Sequence, residues 1–207
     1  MGSARSLRAA LGKGQTERPV AHWLKENPLV ISHSVGGEGF ADMVAAEFHF
    51  GTDYRADFVA LGSFSGGFSV HFIELEPPDA QLFTRSGKAA KRLNEAISQV
   101  DSWRAFIEKH RDSVLHELSK HIQDHELNFG LMDYEPTDNC GWHLYHPRVW
   151  LDWYYHVVIG RRRRLTEEEL EKKASFLKHH NIHLMTYDRL LDAAKKLETF
   201  ERLKPNH

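Results

Sequence analysis

Several features are scarce in this sequence of 207 residues, and each scarcity excludes a class of protein. The single cysteine, Cys140, excludes an intramolecular disulfide and is typical of a protein from a reducing compartment. No apolar run approaches the roughly 18 residues that a membrane-spanning helix needs, and the first residues show no secretory signal pattern. We therefore expect a cytoplasmic protein without a membrane partner.

An excess of charge is also lacking. Twenty-seven Lys and Arg residues face 29 Asp and Glu residues, for a formal net charge of −2. Nucleic-acid binding would therefore require a local basic patch rather than an overall positive charge. The glycine-rich run at 36–39 lacks the Lys-Ser/Thr pair of a phosphate-binding P-loop, so ATP binding is not expected.

The spacing of apolar residues predicts three strands, followed by alternating helices and strands. The predicted strands cover 43–50, 55–61, 68–76, 154–159 and 182–187, and glycine-containing turns make the first three an antiparallel meander. The predicted helices cover 17–27, a long segment from about 87, 111–124, a segment capped by Thr166 and a last one capped by Asp188. We expect a flexible tail at 1–16 and one α/β domain at 17–207, with a mixed central sheet flanked by helices.

Acidic residues stand among apolar ones in two of these predicted strands. Asp57 lies within one strand, and Glu74 and Glu76 end the next, two residues apart and therefore on one face. Burying such carboxylates costs several kcal/mol unless a cation or hydrogen bonds compensate. Mg²⁺ is a natural partner because it binds one or two carboxylates together with water and phosphate oxygens. The sequence therefore predicts a metal-dependent phosphodiesterase.

Asp57, the strand end Glu74-Leu75-Glu76 and a helix with Gln99 and Trp103 resemble the PD-(D/E)XK nuclease core. Within that superfamily they are most similar to the nuclease domain of Shedu-type anti-phage defence proteins. Further matching segments are 23–28, 44–51, 96–103, 156–162 and 182–191, and the resemblance covers roughly residues 17–198. It implies a restriction-endonuclease-like fold and a Mg²⁺-dependent nuclease, with Mn²⁺ as a substitute and DNA as the expected substrate. It also implies control through a homo-oligomer or a regulatory partner protein.

The resemblance assigns roles to individual residues. Asp57 and Glu74 would hold the metal, with the Leu75 carbonyl as a further ligand, and Gln99 would help to position the site or the nucleic acid. The family usually has lysine where this sequence has Glu76. A glutamate there can bind a second metal or accept a proton from water, but it cannot supply positive charge.

Basic residues elsewhere offer that charge. On an ideal helix Lys88 and Arg92 each fall within about 20° of Gln99, so a basic side chain is expected to reach the site from the helix. Arginine pairs with phosphate through two hydrogen bonds, which makes a run of four arginines a candidate nucleic-acid contact. The run consists of Arg161, Arg162, Arg163 and Arg164. An alternative interpretation is a solvated run paired with the glutamates at 167–169.

Two other functions remain open at this stage. Glu76 in place of lysine is compatible with a catalytically silent nuclease-like module that binds nucleic acid or protein. The near-neutral net charge and the aromatic loop at 142–153 are compatible with a pure protein-interaction domain.

Overall fold

The computed structural model describes residues 3–12, 16–35, 41, 43–124, 137–138 and 140–203. Within these residues it contains a five-stranded mixed sheet and six α-helices. The strands are β1 (Met43–Phe50), β2 (Tyr54–Phe64), β3 (Gly67–Leu75), β4 (Trp150–Val158) and β5 (His183–Met185). The helices are α1 (Ala4–Gly12), α2 (Arg18–Glu26), α3 (Leu29–Val35), α4 (Lys91–Asp124), α5 (Glu167–His180) and α6 (Tyr187–Leu203). The predicted α/β class is confirmed, while the turn predicted at 36–39 lies outside the described residues.

The strands follow one another in the sheet in the order β1-β2-β3-β4-β5. The first three are antiparallel because short turns connect them, as the sequence predicted. A crossover that contains α4 then returns the chain so that β4 lies parallel to β3, and β5 lies parallel to β4. Strand β3 is therefore the centre of the sheet, with an antiparallel neighbour on one side and a parallel neighbour on the other.

Each face of the sheet is covered by a separate layer of helices. One face packs against α4, where Phe48, Phe72 and Trp103 form part of the buried cluster. The other face packs against helices from both ends of the chain, with Val30 of α3 and Leu190 of α6 in its cluster. Full burial of a side chain of this size contributes roughly 1.5–3 kcal/mol, so both layers are needed for a stable sheet.

Strands β1 and β2 both interrupt their alternation at the same level of the sheet. On β1 the residues that face α4 include Ala45 and then Phe48, and on β2 they include Ala56 and then Val59. A regular strand would place side chains three residues apart on opposite faces. Glu47, inside the interruption, has a left-handed backbone with φ of 52°. Irregularities of this kind re-aim side chains and are common next to functional sites.

The amino-terminal region is more ordered than the sequence predicted. Residues 4–12 of the expected flexible tail form α1, because Leu7 and Leu11 lie one helical turn apart and are buried against α2 and α6. The structure also contains α3, which the sequence did not predict. Pro28 ends one helix, as expected, but it is tolerated at the start of the next, which begins immediately.

Other boundaries agree with the sequence or differ by a few residues. The two helical segments predicted before residue 124 are joined in α4 across a kink at His110, where φ is −128°. Thr166 caps α5 in a capping box with Glu169, as predicted. Asp188 was predicted to cap the last helix but lies inside its first turn, because α6 begins at Tyr187. Strand β4 begins at Trp150, before the predicted start at 154. In the described part of the chain, no helix is both apolar and long enough to cross a membrane.

Candidate active site

Asp57 and Glu74 lie next to each other because β2 and β3 pair antiparallel. Phe58 of β2 pairs with Ile73 of β3. The next position towards this end of the sheet is Asp57 on β2 and Glu74 on β3, so the two acidic side chains are neighbours. The Leu75 backbone N–H donates a hydrogen bond of 2.8 Å to Oδ2 of Asp57. This bond holds the Asp57 carboxylate at the end of β3, beside Glu74.

The two carboxylates open into a cavity of about 390 Å³ between the sheet and α4. The cavity lining is Asp53, Tyr54, Arg55, Asp57, Glu74, Gln99, Ser102 and Trp103. The structure thus brings together three of the predicted site residues, from two strands and a helix. Trp103 is almost fully buried and its ring packs against Phe50 and Phe72, so it supports the cavity from the core.

Burial and the neighbouring acidic residues destabilise the charged form of Glu74. Burial, followed by the charges of Asp57 and Glu76, raises the pKa of Glu74 to about 9, although a hydrogen bond from the Gln99 side chain acts in the opposite direction. Burial also raises the pKa of Asp57, against the lowering effects of the Leu75 N–H and Arg55. Oε2 of Glu74 is buried without a hydrogen-bond partner among the described residues. A cation would satisfy this oxygen and relieve the repulsion.

Glu76 is held just beyond the cavity. Its backbone N–H donates to the Val158 carbonyl at 2.9 Å, and its own carbonyl accepts a hydrogen bond of 2.8 Å from the Tyr187 hydroxyl. The side chain is 8% exposed, and burial raises its pKa to about 7, against the lowering effect of Arg92. Glu76 acts electrostatically on Glu74 but does not line the cavity that holds it.

A basic residue of the site that the sequence analysis missed is Arg55. It lines the cavity, and its guanidinium lies 3.8 Å from Oδ1 of Asp57, with about half of the side chain exposed. Its position two residues before Asp57 on the same strand was the available signal. Arg55 offers, inside the cavity, the positive charge that Glu76 cannot supply.

Of the two basic residues predicted to reach the site from the helix, Arg92 lies on it and Lys88 does not. Lys88 precedes the first residue of α4, so the helical angle that grouped it with Gln99 does not apply. Arg92 is in α4, where it pairs with Glu95 at 3.4 Å and lowers the pKa of Glu76. Contact of either residue with phosphate stays a prediction.

The first two residues of the arginine run pair with carboxylates of α6. Arg161 makes two hydrogen bonds to Asp188, of 3.2 and 3.1 Å, and its side chain is 13% exposed. Arg162 contacts Asp192 at 3.1 Å with a side chain that is half exposed. Arg161 therefore fastens the end of β4 to α6, which limits its availability to an external phosphate.

The other two arginines are more accessible. Arg163 is exposed, and Arg164 donates to the backbone carbonyl of Asp79 at 2.7 Å. Of the glutamates at 167–169, considered as partners of the run, Glu169 forms the capping box and Glu168 pairs with Lys172 within α5. Nucleic-acid binding by the arginine run stays a prediction.

The donor set at the cavity fits Mg²⁺ or Mn²⁺. Within the residues that the structure describes, no group of three or more His, Cys, Asp or Glu side chains converges as a metal site. Asp57 and Glu74 would thus be the side-chain ligands, and water or phosphate oxygens would fill the other positions. Mg²⁺ binds in this way, whereas zinc prefers nitrogen and sulfur ligands. Ligation by the Leu75 carbonyl stays a prediction.

Comparison with known proteins assigns the chain to a family. The family model described as Shedu protein SduA, C-terminal, matches residues 14–191, a range that includes all five strands and the whole acidic site. A comparison with curated proteins gives no match. Because the match spans most of its length, the chain belongs to the family of the Shedu protein SduA C-terminal region.

Proposed function

We propose that the chain is a Mg²⁺-dependent endonuclease that cleaves DNA in anti-phage defence. The observation that carries the proposal is the buried, unpartnered Oε2 of Glu74 directly beside Asp57, in a cavity open to a substrate. Two adjacent carboxylates that are largely withdrawn from water are costly, and a divalent cation with phosphate oxygens would compensate them. Membership of the Shedu family supports the role in defence.

The residues around the cavity divide the work of phosphodiester hydrolysis. Bound Mg²⁺ would stabilise charge on the scissile phosphate and lower the pKa of a water molecule. Asp57 and Glu74 would hold the ion, and Gln99 lines the cavity with them and favours the charged form of Glu74. Arg55 pairs with a non-bridging phosphate oxygen, since its guanidinium lies at the cavity and is half exposed.

Glu76 is suited to proton transfer at neutral pH. Its pKa of about 7 lets the carboxyl group take up and release a proton under physiological conditions, which is the property of an efficient general base. Because the side chain lies beyond the cavity lining, it would act on the water through an intervening water molecule. This arrangement replaces the lysine of the usual pattern by an acid at the same position and by Arg55 on the neighbouring strand.

A second function, the catalytically silent module, is favoured by the same residue. Glu76 stands where the family usually has lysine, and the cavity lining does not include it. Such a module would bind DNA through its basic residues without cleaving it. The two functions differ in one observable, which is Mg²⁺-dependent strand cleavage by the wild-type protein.

Cleavage of supercoiled plasmid distinguishes them. We expect the wild-type protein to nick or linearise the plasmid in Mg²⁺ or Mn²⁺ and to be inactive in EDTA. Asp57→Asn should reduce the rate at least about 100-fold, because it removes a charged ligand of the ion. Asp112→Asn is the matched control, because Asp112 is an exposed residue of α4. This variant should cleave the plasmid at the wild-type rate. Equal rates for the two variants would contradict the proposal, and DNA binding without any wild-type cleavage would favour the silent module.

A further inference from the structure

A second cavity, of about 360 Å³, lies on the other side of the sheet from the acidic site. It is formed by β5, α5, α6 and the end of α3, and its charged or titratable lining residues are Arg162, Lys173, Arg189, His156 and His183. The side of the sheet follows from β4, where Val157 faces α4 but Val158, and hence His156, faces the opposite layer. No carboxylate belongs to the lining, all of which falls in the described part of the chain.

Two of the three cations of this cavity, Lys173 and Arg189, have no ion pair with any residue that the structure describes. Lys173 is half-buried and makes no ion pair or hydrogen bond with any residue that the structure describes; burial, Arg162 and Arg189 all lower its pKa. Arg189 uses its Nε to donate to the Ser34 carbonyl at 2.7 Å. Arg162 pairs with Asp192 at 3.1 Å, and its backbone N–H donates a hydrogen bond to Asp188. Like charges gathered in a partly buried pocket are costly unless an anion joins them.

An unpartnered imidazole nitrogen points to the same ligand chemistry. His156 is 3% exposed, and its Nε2 lies 2.9 Å from Nδ1 of His71. Its other nitrogen, Nδ1, is buried and has no hydrogen-bond partner among the described residues. When His71 donates to Nε2, the single proton of a neutral His156 must reside on Nδ1, which then is an unused donor. An oxyanion in the cavity would accept this hydrogen bond and fix that tautomer.

We propose that this basic cavity binds the phosphate group of a small phosphate monoester. Lys173, Arg162 and Arg189 supply the positive charge, and the His156 Nδ1–H supplies a directed hydrogen bond. A phosphate monoester carries up to two negative charges and three strong acceptor oxygens, which matches several cations better than a single carboxylate does. The cavity volume exceeds that of a phosphate ion, so a larger organic part can be accommodated. This site is separate from the proposed metal site and does not depend on it.

Thermal unfolding in phosphate tests the proposal. The measurement compares inorganic phosphate with chloride at equal ionic strength, in EDTA, for wild type, Lys173→Met and Lys172→Met. Lys172 is the matched control because it pairs with Glu168 outside the cavity. Phosphate should raise the midpoint of wild type and Lys172→Met, since a ligand of the folded state stabilises it by mass action. Lys173→Met should lose this rise and, in chloride, should unfold at a higher temperature than wild type because the repulsion is relieved.

Two further measurements identify the kind of phosphate ligand and distinguish binding in the cavity from adsorption to the surface. A nucleoside monophosphate that acts through Lys173 supports a small ligand, whereas an effect restricted to a short oligonucleotide would overturn that part of the proposal. Nitrogen-15 spectra of the imidazoles should show a shift of the His156 Nδ1 resonance when phosphate binds, a change that surface adsorption would not cause. An equal phosphate response in all three proteins, or none in wild type, would overturn the site.

Discussion

Replacing Glu74 with glutamine is expected to stabilise the metal-free protein and, in the same variant, to abolish DNA cleavage. Burial and the neighbouring Asp57 and Glu76 raise the folded-state pKa of Glu74 to about 9 from an ordinary value of 4.5. The stability contributed by such a group is complete below pH 4.5 and is lost as pH rises towards 9. Glutamine has nearly the same shape and cannot ionise, so it removes this loss. We expect a gain of roughly 1–3 kcal/mol in the free energy of unfolding at pH 7.

Urea unfolding with and without Mg²⁺ measures this effect. In EDTA, Glu74→Gln should be more stable than wild type, and the matched control Glu108→Gln, at an exposed position of α4, should lie within about 0.5 kcal/mol of wild type. In Mg²⁺ the order should change, because the ion stabilises wild type by mass action and has lost a ligand in the variant. A destabilised Glu74→Gln in EDTA, combined with no effect of Mg²⁺ on wild type, would show that Glu74 has a structural role instead.

Replacing His156 with glutamine is expected to make the protein more resistant to mild acid. Burial, His71 and other neighbouring cationic groups hold the pKa of His156 well below its ordinary value of 6.5, and burial lowers that of His71 to about 4. For a histidine with a lowered folded-state pKa, the unfolded chain takes up the proton first. The contribution of His156 to the free energy of unfolding is therefore full above about pH 6.5 and decreases as the pH falls below that value. Glutamine can still hydrogen-bond to His71 but takes up no proton, so the loss between pH 6.5 and 5 should shrink by roughly 1–2 kcal/mol.

The comparison must be made against wild type at each pH, because Glu74 acts in the opposite direction. Its raised pKa makes the metal-free protein more stable as pH decreases over the same range, and this partly hides the histidine effect. The Glu74→Gln background removes this contribution and should steepen the acid-dependent loss. His22→Gln is the control, since His22 lies on the surface of α2 with a side chain that is 77% exposed. Identical pH profiles for His156→Gln and wild type would contradict the prediction.

The sequence predicted those parts of the structure that depend on local periodicity. Alternating apolar residues around Asp57 and before Glu74 identified two strands, and the short turn between them required antiparallel pairing, which brings the two carboxylates together. The helical spacing of Leu93, Ala96, Val100 and Trp103 identified the buried face of α4 in the same way. At these positions the apolar periodicity of the sequence agrees with the burial in the structure, so the periodicity predicts which residues are buried.

Features that depend on contacts between distant segments were not predictable. The sequence places Arg55 two residues before Asp57, but it does not show that the Arg55 side chain enters the acidic cavity while Glu76 stays outside the lining. The basic cavity combines Arg162, Lys173 and Arg189 from three separate segments, and nothing in the sequence indicates that these segments meet. The order of α1 likewise depends on contacts with α6, at the other end of the chain.

The central claim is that Asp57 and Glu74 together hold a divalent cation. Anomalous diffraction from crystals soaked in Mn²⁺ tests it most directly. A peak bridging the two carboxylates, and missing from Glu74→Gln crystals treated in the same way, is the predicted result. Wild-type crystals that bind Mn²⁺ elsewhere, or that leave both carboxylates without the ion at saturating concentration, would contradict the claim.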